Sequence, residues 1–223
     1  MSRDGGVIGV VDYAAGNLRS VEFALDALGV AHRRAAGPEA LERVAGIVLP
    51  GVGAARHAMR ELARHDLVPA LRETDRPLLG VCLGMQLLTE ASEEGEGERE
   101  ERRQGSEEKP AVECLGLLPG RTRRLRGGER LPHIGWNPTR LGEDPLFRGL
   151  RGEEPFYYLH AYRVTCPPAY TIAEADYGEP FPAAIRRGRL AGVQFHPEKS
   201  GEAGLRVLEN FCRSCAREGE EPC

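Results

Sequence analysis

The sequence has no apolar run approaching the roughly 20 residues needed to cross a bilayer, and no excess of either charge. Its 223 residues carry 30 Lys and Arg against 34 Asp and Glu, a formal net charge of -4. The first absence argues against a membrane protein. The second argues against a nucleic-acid binder held by phosphate contacts. Met1-Ser2-Arg3-Asp4-Gly5-Gly6 runs straight into a strand pattern and lacks the apolar segment of a signal peptide, so a cytoplasmic location is expected. There is no internal repeat. Lysine is scarce, with Lys109 and Lys199 the only two, and Trp136 is the single tryptophan. The six cysteines, Cys82, Cys114, Cys166, Cys212, Cys215 and Cys223, read as free thiols in a chain of this kind. Cys212-Arg213-Ser214-Cys215 has no second pair beside it, so no metal or cofactor is expected and helix packing by Cys212 is the simpler reading. With 41% hydrophobic residues the chain is expected to fold as one domain over 1–223.

The order of the apolar segments predicts the architecture. Residues 7–11, 47–49 and 78–81 are short apolar strands, and 30–34 fits an edge strand. Between them, Leu18, Val21, Leu25 and Leu28 recur at helical spacing up to Gly29, and 54–72 reads as one helix with Met59, Leu62 and Leu67 on one side. A further helix is expected over 85–91. Strand and helix alternating in this way predict an α/β fold with a mostly parallel, doubly wound sheet. Ligands gather at the carboxyl edge of such sheets, where the turns after Val11, Leu49 and Val81 all fall. Residues 93–112 are charged, glycine-bearing and without apolar period, and read as a flexible loop. From Leu115 the chain is strand-rich, with strands expected at 115–119, 155–160, 170–173, 183–186 and 190–195. Gly135-Trp136-Asn137 reads as a turn, and 201–216 as a closing amphipathic helix.

The chemistry concentrates on Cys82. Leu78-Leu79-Gly80-Val81-Cys82-Leu83-Gly84-Met85-Gln86 is a strand, a Gly-x-Cys-x-Gly turn and a helix start, the pattern of a nucleophile elbow with sulfur in place of oxygen. A Cβ at either flanking glycine would collide with its neighbours, and the following helix N-terminus favours a thiolate. Gln194-Phe195-His196-Pro197-Glu198 offers an imidazole to take the thiol proton and a carboxylate to orient it. On an extended backbone, His196 and Glu198 would share a face. The amide of Leu83 and one from Pro50-Gly51-Val52-Gly53 are the natural donors to a tetrahedral oxyanion. The residues alone leave alternatives open: a thiol hydrolase of small esters or lactones, or a binding module with a packing cysteine.

Pro50-Gly51-Val52-Gly53, Gly80-Val81-Cys82-Leu83-Gly84-Met85-Gln86 and Gln194-Phe195-His196-Pro197-Glu198 together resemble the three signatures of class I (triad) glutamine amidotransferases. Within that class four segments narrow the resemblance to the glutaminase subunits of imidazole glycerol phosphate synthases. They are Asp12-Tyr13-Ala14-Ala15-Gly16-Asn17-Leu18-Arg19-Ser20, Leu131-Pro132-His133-Ile134-Gly135-Trp136-Asn137, His160-Ala161-Tyr162-Arg163, and His196-Pro197-Glu198-Lys199-Ser200. A glutaminase serving another synthase is the alternative within the class. The resemblance runs from about Val7 to Phe211, and the charged stretch after Glu94 is longer than usual for the family. It implies a flavodoxin-like sheet with a strand-rich C-terminal half. It also implies catalysis by Cys82, His196 and Glu198, and an oxyanion site at Gly51, Val52, Gly53 and Leu83. L-glutamine would be held by Gln86, Glu94, Ala161 and Tyr162. The implied product, ammonia, passes to a TIM-barrel cyclase subunit that makes imidazole glycerol phosphate and AICAR in histidine biosynthesis. Asn17, Trp136, Tyr157 and Lys199 would face that partner.

Overall fold

A computed structural model describes residues 6–14, 17–94, 111–126 and 130–217. The N-terminal half runs β1 (Ile8–Val11), α1 (Leu18–Ala27), β2 (His32–Ala35), α2 (Pro38–Glu42), β3 (Gly46–Gly51), α3 (Ala55–Arg64), α4 (Leu67–Glu73), β4 (Leu78–Cys82) and α5 (Leu83–Leu87). Then come β5 (Ala91–Ser92), β6 (Val112–Glu113), β7 (Arg121–Arg124), β8 (His133–Leu141), β9 (Glu153–His160), β10 (Tyr162–Thr165), β11 (Thr171–Asp176), β12 (Pro180–Arg187), β13 (Leu190–Val193) and α6 (Gly201–Arg217). The main sheet has the order β2-β1-β3-β4-β13-β12-β11-β8-β9. Its first five strands are mutually parallel, in the order of a flavodoxin-like sheet, and the last four continue it antiparallel. The strand-rich half thus lengthens the sheet of the first half. A second sheet, β10-β7-β5-β6, lies beyond the elbow helix.

Alternation along the central strands divides the core in two. Ile8, Val10, Val48, Leu79 and Val81 pack toward Val21 and Leu25 of α1 and Leu208 and Phe211 of α6. Val11, Ile47, Leu49 and Leu78 point the other way, toward Leu62 of α3 and Leu71 of α4. Burying each such side chain contributes about 1.5–3 kcal/mol, enough to hold the carboxyl ends of β1, β3, β4 and β13 in one row.

Several local expectations need correction. The helix expected over 54–72 is two helices, broken where Asp66 takes a left-handed backbone (φ 55). The elbow helix ends at Leu87 and the chain re-enters as β5. The apolar run at 115–119 is not a strand. The N–H groups of Leu115, Leu117 and Leu118 donate to the carbonyls of Leu87 and Leu88, so they cap α5 and join no ladder. Gly135-Trp136-Asn137 is not a turn but the middle of β8, paired with Tyr158, Tyr157 and Phe156 of β9. The expected flexible loop over 93–112 falls mostly outside the described residues.

Candidate active site

Cys82 is the last residue of β4 and sits directly before α5, in a strained backbone with φ 53 and ψ -109. The strain is held from both sides. A Cβ on Gly80 would lie 2.6 Å from the backbone of Gly84, and one on Gly84 would lie 1.8 Å from the Leu49 carbonyl oxygen. The expectation that both elbow positions must be glycine is met, because β4 touches helix α5 at Gly80 and β3 touches it at Gly84. Gly51 pairs with Cys82 across β3 and β4, which puts the Pro50-Gly51-Val52-Gly53 turn beside the sulfur. Gly53 has φ 91, a conformation open to glycine.

His196 follows β13 and is 1% exposed. Its backbone N–H donates to the Tyr157 carbonyl (2.9 Å), which ties it to β9. Its Nδ1 meets Glu198 Oε1 at 2.8 Å, and the Glu198 carboxylate is wholly buried. Contrary to the expectation of an extended backbone, the two residues do not meet along a strand. Pro197 starts a 3-10 turn (Pro197–Lys199), and the turn folds the carboxylate back under the ring. The amide of Asn17, at the N-terminus of α1, donates to the same Oε1, a contact that sequence reasoning missed.

The His196 ring and the Cys82 sulfur interact without an aligned hydrogen bond. Nε2 has no partner of standard geometry among the described residues, yet the thiol is close enough to act on the ring. Burial alone would lower the imidazole pKa. Hydrogen bonding and charge from Cys82 and Glu198 outweigh it and push it up to about 10. The imidazolium is therefore the form this site favours, and it is the form that stabilises an adjacent thiolate. The thiol itself is 3.6 Å from the Leu159 carbonyl.

The sulfur opens on a cavity of about 310 Å³, at the lower end of the range for small-molecule sites. Its walls include Val52, Gly53, Leu83, Gln86, Glu94, Ala161 and Tyr162, seven of the residues singled out from the sequence. Glu94 also accepts from the Ala55 N–H at the start of α3 (3.3 Å). Pro132, Leu159 and His160 complete the lining and were not foreseen. His160 Nδ1 donates to the Tyr162 carbonyl (2.8 Å), and its Nε2 meets His133 Nδ1 (3.0 Å). Since that carbonyl can only accept, His160 carries its proton on Nδ1 and His133 is the donor between the rings. Burial pushes His133 down to about 4. Burial, reinforced by the positive charge His133 and His196 would carry, pushes His160 to about 3. Tyr13 was also missed: its hydroxyl donates to the Pro50 carbonyl (2.9 Å), and burial, with the charge of Cys82, raises its pKa.

The four residues expected to face a partner divide. Trp136 is 57% exposed, edge-on to Tyr157 (6.2 Å between ring centroids), with Lys199 Nζ 5.9 Å from the Tyr157 ring centre. Asn17 instead directs its amide at Glu198. Among the described residues no cluster of His, Cys, Asp and Glu is arranged to hold a metal, and no helix is long and apolar enough to cross a membrane.

Comparison with known proteins identifies the family. The profile of the family described as "Glutamine amidotransferase class-I" matches residues 11–215. The "Imidazole glycerol phosphate synthase subunit HisH" of Vibrio cholerae serotype O1 is 41% identical over 204 residues, 91% of this chain and 96% of that one. The protein of the same description from Bacillus cereus (strain G9842) is 43% identical over 209 residues, 92% of this chain and 93% of that one. Two solved structures share the fold. A crystal structure described as a glutamine amidotransferase has a TM-score of 0.69 at 22% identity, covering 95% of this chain and 100% of its own. A glutamine amidotransferase from Thermotoga maritima has a TM-score of 0.60 at 16% identity, covering 98% and 87%.

Proposed function

This chain belongs to the class-I glutamine amidotransferases, among the glutaminase subunits of imidazole glycerol phosphate synthase, and we propose how its residues carry out that activity. The chain is a glutaminase of histidine biosynthesis. The observation that carries the mechanism is the meeting of Cys82, His196 and Glu198, with Cys82 in the wall of a cavity also lined by Gln86, Glu94, Ala161 and Tyr162. The Cys82 thiolate attacks the side-chain carboxamide carbon of L-glutamine. The oxyanion is received by the Leu83 amide and one from Gly51-Val52-Gly53. His196, oriented by Glu198, protonates the departing ammonia, leaving a γ-glutamyl thioester on Cys82. His196 then takes a proton from water, which hydrolyses the thioester to glutamate and restores the thiol.

The ammonia passes to a TIM-barrel cyclase subunit, where it is used to form imidazole glycerol phosphate and AICAR. Trp136, Tyr157 and Lys199 form the docking face, and Asn17 links that side of the molecule to the triad carboxylate. The chain works as one domain over 1–223, in the cytoplasm, without a metal or cofactor.

The test is Cys82→Ala in complex with the cyclase. Glutamine-dependent turnover should vanish and turnover on ammonium salt should persist. Loss of both would assign Cys82 a different role. Coupling to the partner is tested on the wild-type chain: glutamine hydrolysis should be slow alone and faster with the cyclase and its ligand, and equal rates would refute the coupling.

A further inference from the structure

A second side chain besides His196 reaches the sulfur. Gln194 is 0% exposed, its backbone N–H donates to Ala183 O (2.8 Å), and its Nε2 lies 3.7 Å from Cys82 Sγ. Which end of this amide faces the sulfur follows from its neighbours. The Tyr162 carbonyl can only accept, and Gln86 Nε2 is 3.1 Å from it, so Gln86 turns its nitrogen that way. The second hydrogen of the same nitrogen is directed at Gln194, 3.0 Å away, so the Gln194 atom there is oxygen. Nitrogen is what remains for the sulfur. Turning Gln194 over would set two N–H groups against each other at Gln86 and an oxygen lone pair against Cys82.

We propose that Gln194 is a further catalytic residue, whose Nε2–H holds the Cys82 sulfur in its anionic form and fixes its direction between His196 and the glutamine cavity. The two neighbours of the sulfur select between its protonation states. The Leu159 carbonyl, 3.6 Å away, can accept only from the thiol. The Gln194 N–H gains most when the sulfur is an anion, because charge-assisted hydrogen bonds are about twice as strong as neutral ones. The interaction therefore strengthens as the thiol gives up its proton, which favours the form of the sulfur that attacks. Gln86, which lines the cavity, sets the orientation of Gln194, so the substrate end and the nucleophile end lie on one hydrogen-bonded line. This role rests on the assignment of Cys82 as the nucleophile.

The experiment compares Gln194→Met and the near-isosteric Gln194→Glu with wild type. Melting curves check that each folds. The first readout is alkylation of Cys82 by iodoacetamide, followed on the Cys82 peptide by mass spectrometry from pH 6 to 9.5, which needs neither glutamine nor partner. The expected result is a tenfold or greater fall in rate at pH 7 in both variants, largely recovered by Gln194→Met at the alkaline end. The second readout is glutaminase turnover in the complex, where kcat should fall to a similar degree with KM within threefold. An unchanged alkylation rate in a folded variant, or a loss confined to KM, would show that Gln194 only braces Gln86 and would overturn the proposal. If only one variant folds, that variant decides. A wild-type complex that does not hydrolyse glutamine while the alkylation effect persists would instead sink the functional reading and leave this one standing.

Discussion

Glu198→Gln exchanges one oxygen for nitrogen and removes one buried charge. Glu198 Oε1 takes both His196 Nδ1 (2.8 Å) and the Asn17 amide, while Oε2 has no partner among the described residues. The glutamine side chain can keep its oxygen where Oε1 is and place its nitrogen where Oε2 is, so the imidazole stays oriented and only the charge is lost. That charge is part of what takes His196 from its ordinary 6.5 up to about 10 against the cost of burial. At about 1.4 kcal/mol per unit the net rise is on the order of 5 kcal/mol, and the pull of Cys82 and Glu198 together exceeds that because it also offsets burial. A Glu198 share of at least about 2 kcal/mol corresponds to about thirtyfold or more in the population of the imidazolium–thiolate pair. Glu198 does not line the cavity, so substrate binding should be untouched.

The expected outcome is a kcat for glutamate release about thirtyfold below wild type in the complex, with KM within a factor of about two. The pH profile gives a second check. Because the folded pKa of His196 is raised, its protonated form, and the stability it contributes, is fully present below 6.5 and is lost as pH rises through about 10. In Glu198→Gln the alkaline fall of activity should move to lower pH. A kcat within threefold of wild type, or an unmoved alkaline limb, would refute the view that the carboxylate acts through its charge.

Three further outcomes follow from single contacts. Gly84→Ala places a Cβ 1.8 Å from the Leu49 carbonyl and must push α5 off β3; a cost of about 3 kcal/mol or more is expected, a fall in Tm of roughly 10 °C, and a drop below 3 °C would contradict the packing described. The buried His133–His160 pair stays neutral in the fold, at about 4 and about 3, while the unfolded chain binds both protons below 6.5. Stability should therefore fall as pH drops from 6.5 toward 4, by about 2–3 kcal/mol per histidine at pH 4.5, and a urea midpoint that stays level from pH 7 to 4.5 would refute it. Trp136→Ala removes an exposed ring that touches little within the chain; Tm should move by less than about 2 °C while affinity for the cyclase falls about tenfold or more, the reverse pattern marking Trp136 as a core residue.

What could be read from the sequence was what the backbone dictates. The elbow at Cys82 and the turn at Gly51-Val52-Gly53 announce themselves because a short apolar strand must end where a side-chain-free residue lets β3, β4 and α5 touch. Misreadings arose where an apolar or turn-like stretch met a demand from elsewhere in the fold. Leu115 and Leu118 are buried like strand residues, but their N–H groups serve the end of α5. Gly135, Trp136 and Asn137 look like a turn, yet β9 pairs with them throughout. The break at Asp66 did carry a mark: Pro69 stands in the first turn of α4, where proline is tolerated in a helix.

The polar residues around the nucleophile were harder to read for a different reason: their roles lie in pairings, and a pairing needs the register. His133 and His160 are far apart in sequence and become neighbours only because β8 and β9 pair them residue on residue. Tyr13 reaches Pro50 only because β1 and β3 are adjacent. Gln194 is the exception that a closer reading of the sequence could have caught. It is the lone polar residue in Leu190-Ala191-Gly192-Val193-Gln194-Phe195, directly after the strand that leads to the catalytic imidazole. A polar side chain in a fully buried run must find a partner, and two residues before His196, at the edge where Cys82 stands, the sulfur and its surroundings are what that partner can be. The position asks for one acceptor toward Gln86 and one donor toward Cys82 on a single short side chain, and an amide supplies both at once.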